Sequence, residues 1–296
     1  MHVVVTGSSG LVGTALVRTL ASQGHQVTRM VRRTPRPGEA RWNPDDGMIE
    51  TNALQHVDAV IHLAGASIAG RRWTDDYKRT LLESRLRGTT LLATSIADLA
   101  DKPAVMISAS AIGFYGMRGD EQLDESAPAG EGFLADLCVQ WEAATTPAEQ
   151  AGIRVIRIRS GIVLSGHGGA LKKQLPLFKF GLGGRIGSGQ QWQSWIAIDD
   201  EVGAIVHLLT SSVSGPVNLT APNPVRQRDF AKALGRAVRR PAVLPTPAFA
   251  PKLVLGSEMA TNLVVTGQRV QPTALLDDGY EFAYPTLEPT LDHVLG

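Results

Sequence analysis

The sequence lacks several features that would by themselves define a class of protein. It has one cysteine, Cys138, so no internal disulfide can form and a reducing cytoplasm is the expected compartment. Lys and Arg number 29 against 28 Asp and Glu, and this balance gives no indication of a nucleic-acid or anionic-membrane partner. No apolar run reaches the roughly 18 to 20 residues of a membrane helix. The seven histidines show no ligand spacing, so no metal is expected.

The composition and the opening residues are those of an ordinary folded protein. Of the 296 residues, 43% are hydrophobic and 19% are charged, which predicts a globular chain of one large or two intimate domains. The first residues, "MHVVVTGSSG", predict a strand and a glycine turn and no signal peptide. We therefore expect a cytoplasmic protein.

Short apolar strands alternate with helical segments through the first part of the chain. The longest predicted helices run from about Thr74 to Leu99 and from about Phe133 to Ala151, and Gly24 is expected to end the first helix. The predicted strands are "HVVVTG", "QVTRMV", "VDAVIHLAG", "PAVMISAS" and "IRVIRIRSGIVL". Continuously apolar strands separated by helices indicate a parallel sheet covered on both faces. The predicted fold class is therefore α/β, with a doubly wound parallel sheet.

The pattern changes after Leu164 and predicts a second, smaller lobe. A glycine-rich irregular stretch comes first, and strand–helix pairs resume at "SWIAIDDEVGAIVHLL". The expected division is a nucleotide-binding domain (1–165 with roughly 194–218) and a C-terminal substrate lobe (166–193 and 219–296). The last part of this lobe, residues 252–296, follows the proline-spaced stretch Arg240–Pro251, which we expect to be an extended connector.

Two features near the glycine-rich stretch leave alternatives open. The loop Gly181–Gly189 is either a mobile lid over a substrate or a flexible surface loop. Trp192 and Trp195 are the best candidates for contacting a ligand ring, although tryptophans more often pack in a core. Asp199 and Asp200 resemble a pair of catalytic acids, but they begin a helix, and we expect them to cap it.

A glycine motif follows the first predicted strand and opens the first helix. Gly7, Gly10 and Gly13, in "TGSSGLVG", allow a tight turn, close approach to a pyrophosphate and close helix–strand packing. The free N–H groups of the helix N-terminus suit the anion. The motif therefore predicts a Rossmann-type dinucleotide site, and the residues between the glycines that we expect to take part are Ser9, Leu11 and Val12.

The end of the second strand indicates which dinucleotide is bound. An NAD site would place Asp or Glu here to hold the ribose 2′-hydroxyl, but Arg32 and Arg33 follow Val31. A guanidinium suits a 2′-phosphate, so NADP(H) is preferred over NAD, with a solvated basic loop as the alternative. The third strand ends in small residues that would let a nucleotide lie against the backbone, or simply pack: Leu63, Ala64, Gly65 and Ala66.

Taken together, these motifs resemble the extended short-chain dehydrogenase/reductase superfamily, in its sugar-nucleotide epimerase branch. The matching segments, in order, are "HVVVTGSSGLVG", "DAVIHLAGA", "SASAIGFYG" and "SWIAIDDEVGAI". Longer blocks, among them "FKFGLGGRIGSGQQWQSWIAIDD" and "GQRVQPTALLDDGYEFAYPTLEPTL", resemble an atypical epimerase-like subgroup. That subgroup ends in a small domain of unassigned role, and some of its members carry a cell-division-inhibitor label.

The resemblance implies a catalytic Ser, Tyr and Lys, and this chain departs from that pattern. Ser110 is the best match to the serine, with Ser108 beside it. Aligning Glu142 with the usual helix glutamate puts Leu134 in the tyrosine position and Cys138 in the lysine position. No tyrosine in the chain has a lysine four residues later. Cys138 is expected to be a buried apolar residue rather than a reactive thiol.

Two residues are candidates for the missing functions. Tyr115, in "GFYG", either reaches the nicotinamide side of the pocket or packs a loop. Arg85 matches a pocket-facing position and is expected to hold cofactor phosphate or ribose, because a guanidinium is a poor general acid. We expect Ser108 and Arg159 to contribute to the cofactor site as well.

Two function classes follow from these observations. One is an NADP(H)-dependent oxidoreductase or epimerase acting on a small polar molecule, with a sugar nucleotide implied by the resemblance alone. The other is a non-catalytic NADP(H)-responsive regulatory or binding protein, which the missing Tyr–Lys pair favours. The enzyme is the preferred hypothesis. The resemblance also implies a possible homodimer through the two long helices, whereas an interaction role for residues 252–296 rests on the cell-division label alone.

Overall fold

The computed structural model of the protein describes all of residues 1–296. The strands, in chain order, are β1 (His2–Thr6), β2 (Gln26–Val31), β3 (Glu39–Asn43), β4 (Met48–Ile49), β5 (Ala59–His62), β6 (Val105–Ala111), β7 (Gln122–Leu123), β8 (Arg154–Ser160), β9 (Ile162–Leu164), β10 (Trp192–Gln193), β11 (Trp195–Ala197), β12 (Gly215–Leu219), β13 (Val225–Arg226) and β14 (Arg269–Val270). The α-helices are α1 (Leu11–Ser22), α2 (Asp75–Ala97), α3 (Phe133–Ala143), α4 (Thr146–Gln150), α5 (Gly169–Lys179), α6 (Ile198–Thr210), α7 (Gln227–Ala237), α8 (Phe249–Leu255), α9 (Ser257–Ala260), α10 (Thr273–Asp277) and α11 (Leu287–Leu295). None of these helices is both long and apolar enough to cross a membrane.

Eight strands form a central sheet in the order β4-β3-β2-β1-β5-β6-β8-β12. All neighbours in it are parallel except β3 and β4, which form a short antiparallel pair at one edge. The chain therefore starts in the middle of the sheet, builds outward through β2 and β3, and returns to the other side through β5. This is the predicted doubly wound arrangement, in which ligands bind at the carboxyl ends of the strands where the strand order reverses.

The alternation of side chains along β1 explains why the sheet is covered on both faces. Val3 and Val5 pack into a core with α1 and α6, whereas Val4 faces the opposite core with α2. All three side chains are fully buried. Because both faces are buried, the strand needs a continuous apolar run rather than an alternating one. Gly24, with a positive φ of 80°, follows the end of α1 as predicted.

A third core lies beside the sheet and consists of residues from Leu164 onward. It joins α5, α7 and α11, and it includes the fully buried Trp195. The C-terminal tail, residues 252–296, contributes to more than this core, since Leu275 of α10 packs with the strands of the central sheet. In addition, β14 pairs in parallel with β7. The tail is therefore packed against both parts of the molecule.

Several predicted boundaries were wrong for local reasons. The strand expected over "IRVIRIRSGIVL" divides at Gly161, where a Cβ would lie 2.5 Å from the Ser194 carbonyl oxygen. The helix expected from Phe133 to Ala151 divides into α3 and α4 at Thr145, two residues before Pro147, whose nitrogen donates no helical hydrogen bond. The sequence analysis missed β3 and β4, and the expected connector Arg240–Pro251 already contains the start of α8.

The expected capping role of Asp199 and Asp200 was also wrong. The N-cap position of α6 is Ala197, and no side chain caps the helix. Asp200 is 1% exposed and instead accepts hydrogen bonds from the backbone N–H groups of Ala283 (2.8 Å) and Tyr284 (2.9 Å). Burial raises the pKa of Asp200, and these amides act against that shift. Asp200 therefore attaches the C-terminal tail to α6.

Replacing Asp200 tests this attachment. Asp200→Ala leaves two amides of the tail without their acceptor, and we expect the free energy of unfolding to fall by about 1–3 kcal/mol. Asp199→Ala is the matched control, because Asp199 is half exposed and pairs only with the exposed His293, so its loss should cost less than about 1 kcal/mol. Urea unfolding of both variants measures the difference, and equal losses would contradict the attachment.

Glu201 lies next to Asp200 and is fully buried with little compensation. Its Oε1 accepts a hydrogen bond from Ser160 Oγ (2.6 Å), but its Oε2 has no partner. Burial raises the pKa of Glu201 to about 8. The folded protein therefore keeps a proton on this carboxyl between about pH 4.5 and pH 8, where the unfolded chain has released it. The contribution of Glu201 to the free energy of unfolding is fully present below pH 4.5 and is lost as the pH rises toward 8.

Glu201→Gln should remove that pH dependence. We expect the free energy of unfolding of the variant, relative to that of the wild type, to rise by up to about 1.4 kcal/mol for each pH unit through this window. Urea unfolding at acidic, neutral and mildly basic pH measures the gain. Glu281→Gln, at an exposed glutamate whose side chain makes no hydrogen bond or ion pair, is the control and should show no such trend. A gain that stays constant with pH would show that Glu201 is ionised in the folded protein.

Candidate functional site

The glycine motif forms a narrow turn at the carboxyl end of β1. Gly7 has a φ of 66°, and a Cβ there would lie 2.6 Å from the carbonyl group of Leu63, at the end of β5. A Cβ on Gly13 would overlap the Gly7 carbonyl oxygen. Gly10 is exposed and is the N-cap residue of α1, which has no side-chain cap, so the first N–H groups of that helix stay free. This cradle fits a pyrophosphate, because glycine leaves it open and the helix N-terminus favours negative charge.

The two arginines after β2 have different surroundings. Arg33 donates to both carboxylate oxygens of Glu39, at 2.7 and 2.6 Å, and Arg29 also contacts this carboxylate at 2.8 Å. Arg33 holds the pKa of Glu39 down to about 2. Arg32 is exposed and makes no hydrogen bond or ion pair within the protein. Of the two, Arg32 is thus the guanidinium free to bind an anion beside Val31.

Arg85, on α2, is a buried cation without a carboxylate partner. It is 8% exposed, donates from Nη1 to the Leu81 carbonyl (3.0 Å) and stacks over Trp141 at 4.8 Å. Its Nε has no partner, and burial lowers its pKa. The residue beneath it is Gly65, where a Cβ would lie 3.4 Å from the guanidinium carbon. This arrangement places positive charge against the turn formed by Leu63, Ala64, Gly65 and Ala66.

Two further polar side chains are buried at this edge of the sheet. His62 and Ser108 are opposite each other in β5 and β6, and His62 Nε2 and Ser108 Oγ both lack a partner. His62 Nδ1 is hydrogen-bonded to Thr6 Oγ1 at 2.7 Å. Burial lowers the pKa of His62 to about 4, so its imidazole is neutral. His62 was not among the predicted site residues, and its position directly before Leu63 was the available signal.

Ser110 belongs to a buried hydrogen-bonded network. Its Oγ donates to Glu142 Oε1 at 2.7 Å, and Arg159 donates to both Glu142 oxygens at 2.8 and 2.9 Å. Arg159 Nη1 also donates to the Tyr115 hydroxyl (3.0 Å), which in turn donates to Asn218 Oδ1 (2.7 Å). The tyrosine is fully buried. Its hydroxyl thus has two internal partners, an arrangement that favours the packing alternative for Tyr115.

The positions of the usual Tyr–Lys pair are apolar in this site. Leu134 and Cys138 both face Gly113, where a Cβ would lie 3.2 Å from Leu134 Cβ and 3.9 Å from Cys138 Sγ. Cys138 is 1% exposed, and burial raises the pKa of its thiol to about 12. This thiol stays protonated, as expected for a buried apolar residue.

The two tryptophans flanking the glycine-rich loop differ. The expectation that Trp195 contacts a ligand ring was wrong, because this side chain is fully buried in the third core. The Trp192 ring centre lies 3.9 Å from the Arg226 guanidinium and 4.8 Å from that of Arg269, and its Nε1 donates to Asp120 (3.0 Å). Sequence reasoning missed these two arginines, which come from separate segments of the chain.

The remaining expectations concern the loop and metals. The Gly181–Gly189 loop packs on the stretch before α8, with the Ile186 N–H donating to Gln227 Oε1 (2.8 Å). Its role as a lid stays a prediction. No group of three or more His, Cys, Asp or Glu side chains is placed so that it could hold a metal ion.

Comparison with known proteins agrees with this geometry. Residues 3–220 match the NAD dependent epimerase/dehydratase family, and residues 246–294 match a domain of unknown function, DUF1731. An epimerase family protein of Mycobacterium bovis is 45% identical over 293 residues, which cover 98% of this chain and 96% of that protein.

Two solved structures resemble the whole chain. The human epimerase family protein SDR39U1, crystallised with NADPH, has a TM-score of 0.92 and 35% identity, covering 99% of both chains. The nucleoside-diphosphate sugar epimerase of Corynebacterium glutamicum has a TM-score of 0.84 and 38% identity, covering this chain entirely and 58% of that one. With its glycine cradle, its strand order and these similarities, the chain belongs to the NAD dependent epimerase/dehydratase family.

Proposed function

We propose that this protein is an NADP(H)-dependent oxidoreductase or epimerase in which Ser110 binds the reacting oxygen of a small polar substrate. The observation that carries the proposal is the hydrogen bond from Ser110 Oγ to Glu142, whose carboxylate is held on both oxygens by Arg159. A serine hydroxyl fixed by a buried carboxylate is a defined proton acceptor and donor rather than a mobile surface group.

NADP(H) is the proposed cofactor. The glycine cradle would hold the pyrophosphate, Arg32 the 2′-phosphate and Arg85 a phosphate or ribose oxygen. Three buried atoms without partners, Arg85 Nε, His62 Nε2 and Ser108 Oγ, lie along the same edge of the sheet. The NADPH in the human relative's crystal structure supports this choice. When bound, the nicotinamide supplies or takes up the hydride.

Proton transfer would pass through Ser110. Because its own proton is donated to Glu142, the lone pairs of Ser110 Oγ are free to accept a proton from a substrate hydroxyl. As Ser110 Oγ takes the substrate proton, its own proton would pass to Glu142 Oε1, and Arg159 would hold that carboxylate in position. Reduction of a carbonyl would use the reverse path. Leu134 and Cys138 contribute no proton to this path.

A sugar nucleotide is the proposed substrate class. Trp192 offers an aromatic surface, and Arg226 and Arg269 bring two guanidinium groups, of which Arg226 pairs with Asp120 at 2.7 Å. An aromatic face with nearby guanidinium groups suits a base and a diphosphate. The epimerase from C. glutamicum supports the same class by its name. A cytoplasmic location and a homodimer through α2 and α3 also stay proposals.

A non-catalytic, NADP(H)-responsive regulatory protein is the alternative. The apolar Leu134 and the protonated, buried Cys138 favour it, because the positions that usually carry acid–base chemistry cannot do so. The regulatory protein and the enzyme would share a cofactor site, so cofactor binding alone does not distinguish them. Turnover does.

Arg32→Ala tests the choice of cofactor. Loss of a charge-assisted contact to the 2′-phosphate should weaken NADPH binding by about tenfold or more and leave NADH binding unchanged. Fluorescence titration with both dinucleotides measures the ratio. Arg41→Ala, which removes another exposed arginine of the same sheet edge, is the control. An unchanged preference for NADPH over NADH in Arg32→Ala would contradict the role of Arg32.

Ser110→Ala tests the chemistry. With NADPH and a panel of carbonyl compounds and sugar nucleotides, we expect kcat to fall by about a hundredfold to ten-thousandfold with little change in NADPH affinity. Glu142→Gln should lower kcat as well, and its melting temperature must be measured because it weakens the pair with Arg159. Ser22→Ala, at the exposed end of α1, is the control. Full turnover by Ser110→Ala would exclude the proposed role, whereas NADPH binding without turnover by the wild type would favour the regulatory alternative.

A further inference from the structure

The net charge of +1 conceals an uneven distribution of acidic residues. No Asp or Glu lies between Glu149 and Asp199, and none lies between Asp229 and Glu258. Both stretches contain several lysines and arginines. The exposed ones that lie in α5 and α8 or shortly after α5 and α7 include Lys172, Lys173, Lys179, Arg185, Arg240 and Lys252. The nearby Glu258 is already paired with Lys78 at 3.0 Å. The six exposed cations named above form no ion pair, so this part of the surface carries uncompensated positive charge.

The same two stretches carry most of the exposed large apolar side chains. Of twelve such residues in the chain, three lie between 177 and 182 and five between 243 and 254. Phe180 is 79% exposed, Phe249 63% and Val254 71%. No residue of α8 is buried. A soluble surface seldom exposes this many large apolar side chains close together without a binding role.

Backbone hydrogen bonds join the two stretches into one region. The Thr246 N–H donates to the Arg185 carbonyl (2.8 Å), and the Gly187 N–H donates to the Thr246 carbonyl (2.9 Å). Arg240 Nε donates to the Lys179 carbonyl at 3.2 Å. We call residues 172–185 together with 239–255 the basic apolar face.

We propose that the basic apolar face docks on an anionic lipid surface. Exposed Phe, Leu and Val side chains would enter the boundary between headgroups and acyl chains, while the lysines and arginines contact lipid phosphates. This inference is independent of the proposed function. The net charge of the whole chain gave no indication of a membrane partner. A bilayer surface, however, interacts with the local distribution of charge rather than with the net charge. The protein would lie on the membrane, since it has no helix able to cross one.

Two other occupants fit the face less well. Protein interfaces are depleted in lysine, and this face is rich in it. Sites for single-stranded nucleic acid stack bases on aromatic rings, whereas six of the eight exposed apolar residues here are Leu or Val. Aliphatic side chains combined with cations match a lipid headgroup region best.

Flotation of the full-length protein with vesicles tests the proposal. We expect recovery with vesicles of phosphatidylcholine and phosphatidylglycerol, little recovery with phosphatidylcholine alone, and release by high salt. The double variant Phe180→Asp with Leu253→Asp should reduce binding by at least about tenfold. Lys179→Gln with Lys252→Gln should reduce it by about fivefold per charge.

Matched controls separate the face from general surface effects. Met117→Asp with Leu276→Asp changes exposed apolar residues elsewhere, and Lys102→Gln with Arg18→Gln removes two other exposed cations. Both controls should bind like the wild type, with equal melting temperatures throughout. Absence of binding to anionic vesicles, or equal binding by the face variants, would overturn the proposal. A dimer in solution that the face variants dissociate, without vesicle binding, would make the face a self-association surface instead.

Discussion

The ion pair between Arg159 and Glu142 is the contact on which the candidate site depends. The Arg159 side chain is 4% exposed and that of Glu142 11%, so removing either partner would leave a charge buried without compensation. The pair connects β8 to α3, and through Ser110 it also connects β6. The strands β6 and β8 and the helix α3, which are distant in sequence, are thereby held at fixed distances from one another. These distances set the direction of the Ser110 hydroxyl.

The same network reaches the C-terminal tail. From Arg159 it continues through the Tyr115 hydroxyl to Asn218, and Asn218 Nδ2 donates to the Gln271 carbonyl at 2.9 Å. Asp200 attaches the tail a second time, at α6. A segment that matches a domain of unknown function therefore completes the hydrogen bonding of residues around the candidate site. This gives the tail a structural role that does not require a separate partner.

Features that depend on local sequence patterns could be predicted from the sequence. Features that depend on contacts between distant residues could not. Apolar runs separated by helices were enough for the doubly wound sheet, and glycine spacing was enough for the cradle at Gly7. In contrast, Asp200 was assigned to its own helix because its true partners, Ala283 and Tyr284, lie more than eighty residues away. Trp195 was misplaced for a similar reason, since its burial depends on α7 and α11 of the third core.

Glu142 illustrates the same limit inside the site. In the sequence it served only to locate the positions of the missing Tyr and Lys, because a glutamate on a helix is usually a solvated charge. Its importance appears only when Ser110 and Arg159, from two strands of the central sheet, are seen to bind it together. The chain topology determines which hydrogen-bond partners a buried charge finds. The spacing of residues along one helix therefore does not predict them.

The loss of the Tyr–Lys pair changes how charge and proton are supplied. In the usual arrangement one lysine both lowers the pKa of the tyrosine and holds the ribose. Here positive charge comes from Arg85 and Arg159, and a guanidinium keeps its proton at any pH a protein meets. In the proposed mechanism, charge and proton would therefore be carried by different groups, with the arginines binding anions and Ser110 with Glu142 moving a proton. Under the proposed mechanism, such a site would depend on a carboxylate rather than a phenol to take up the proton.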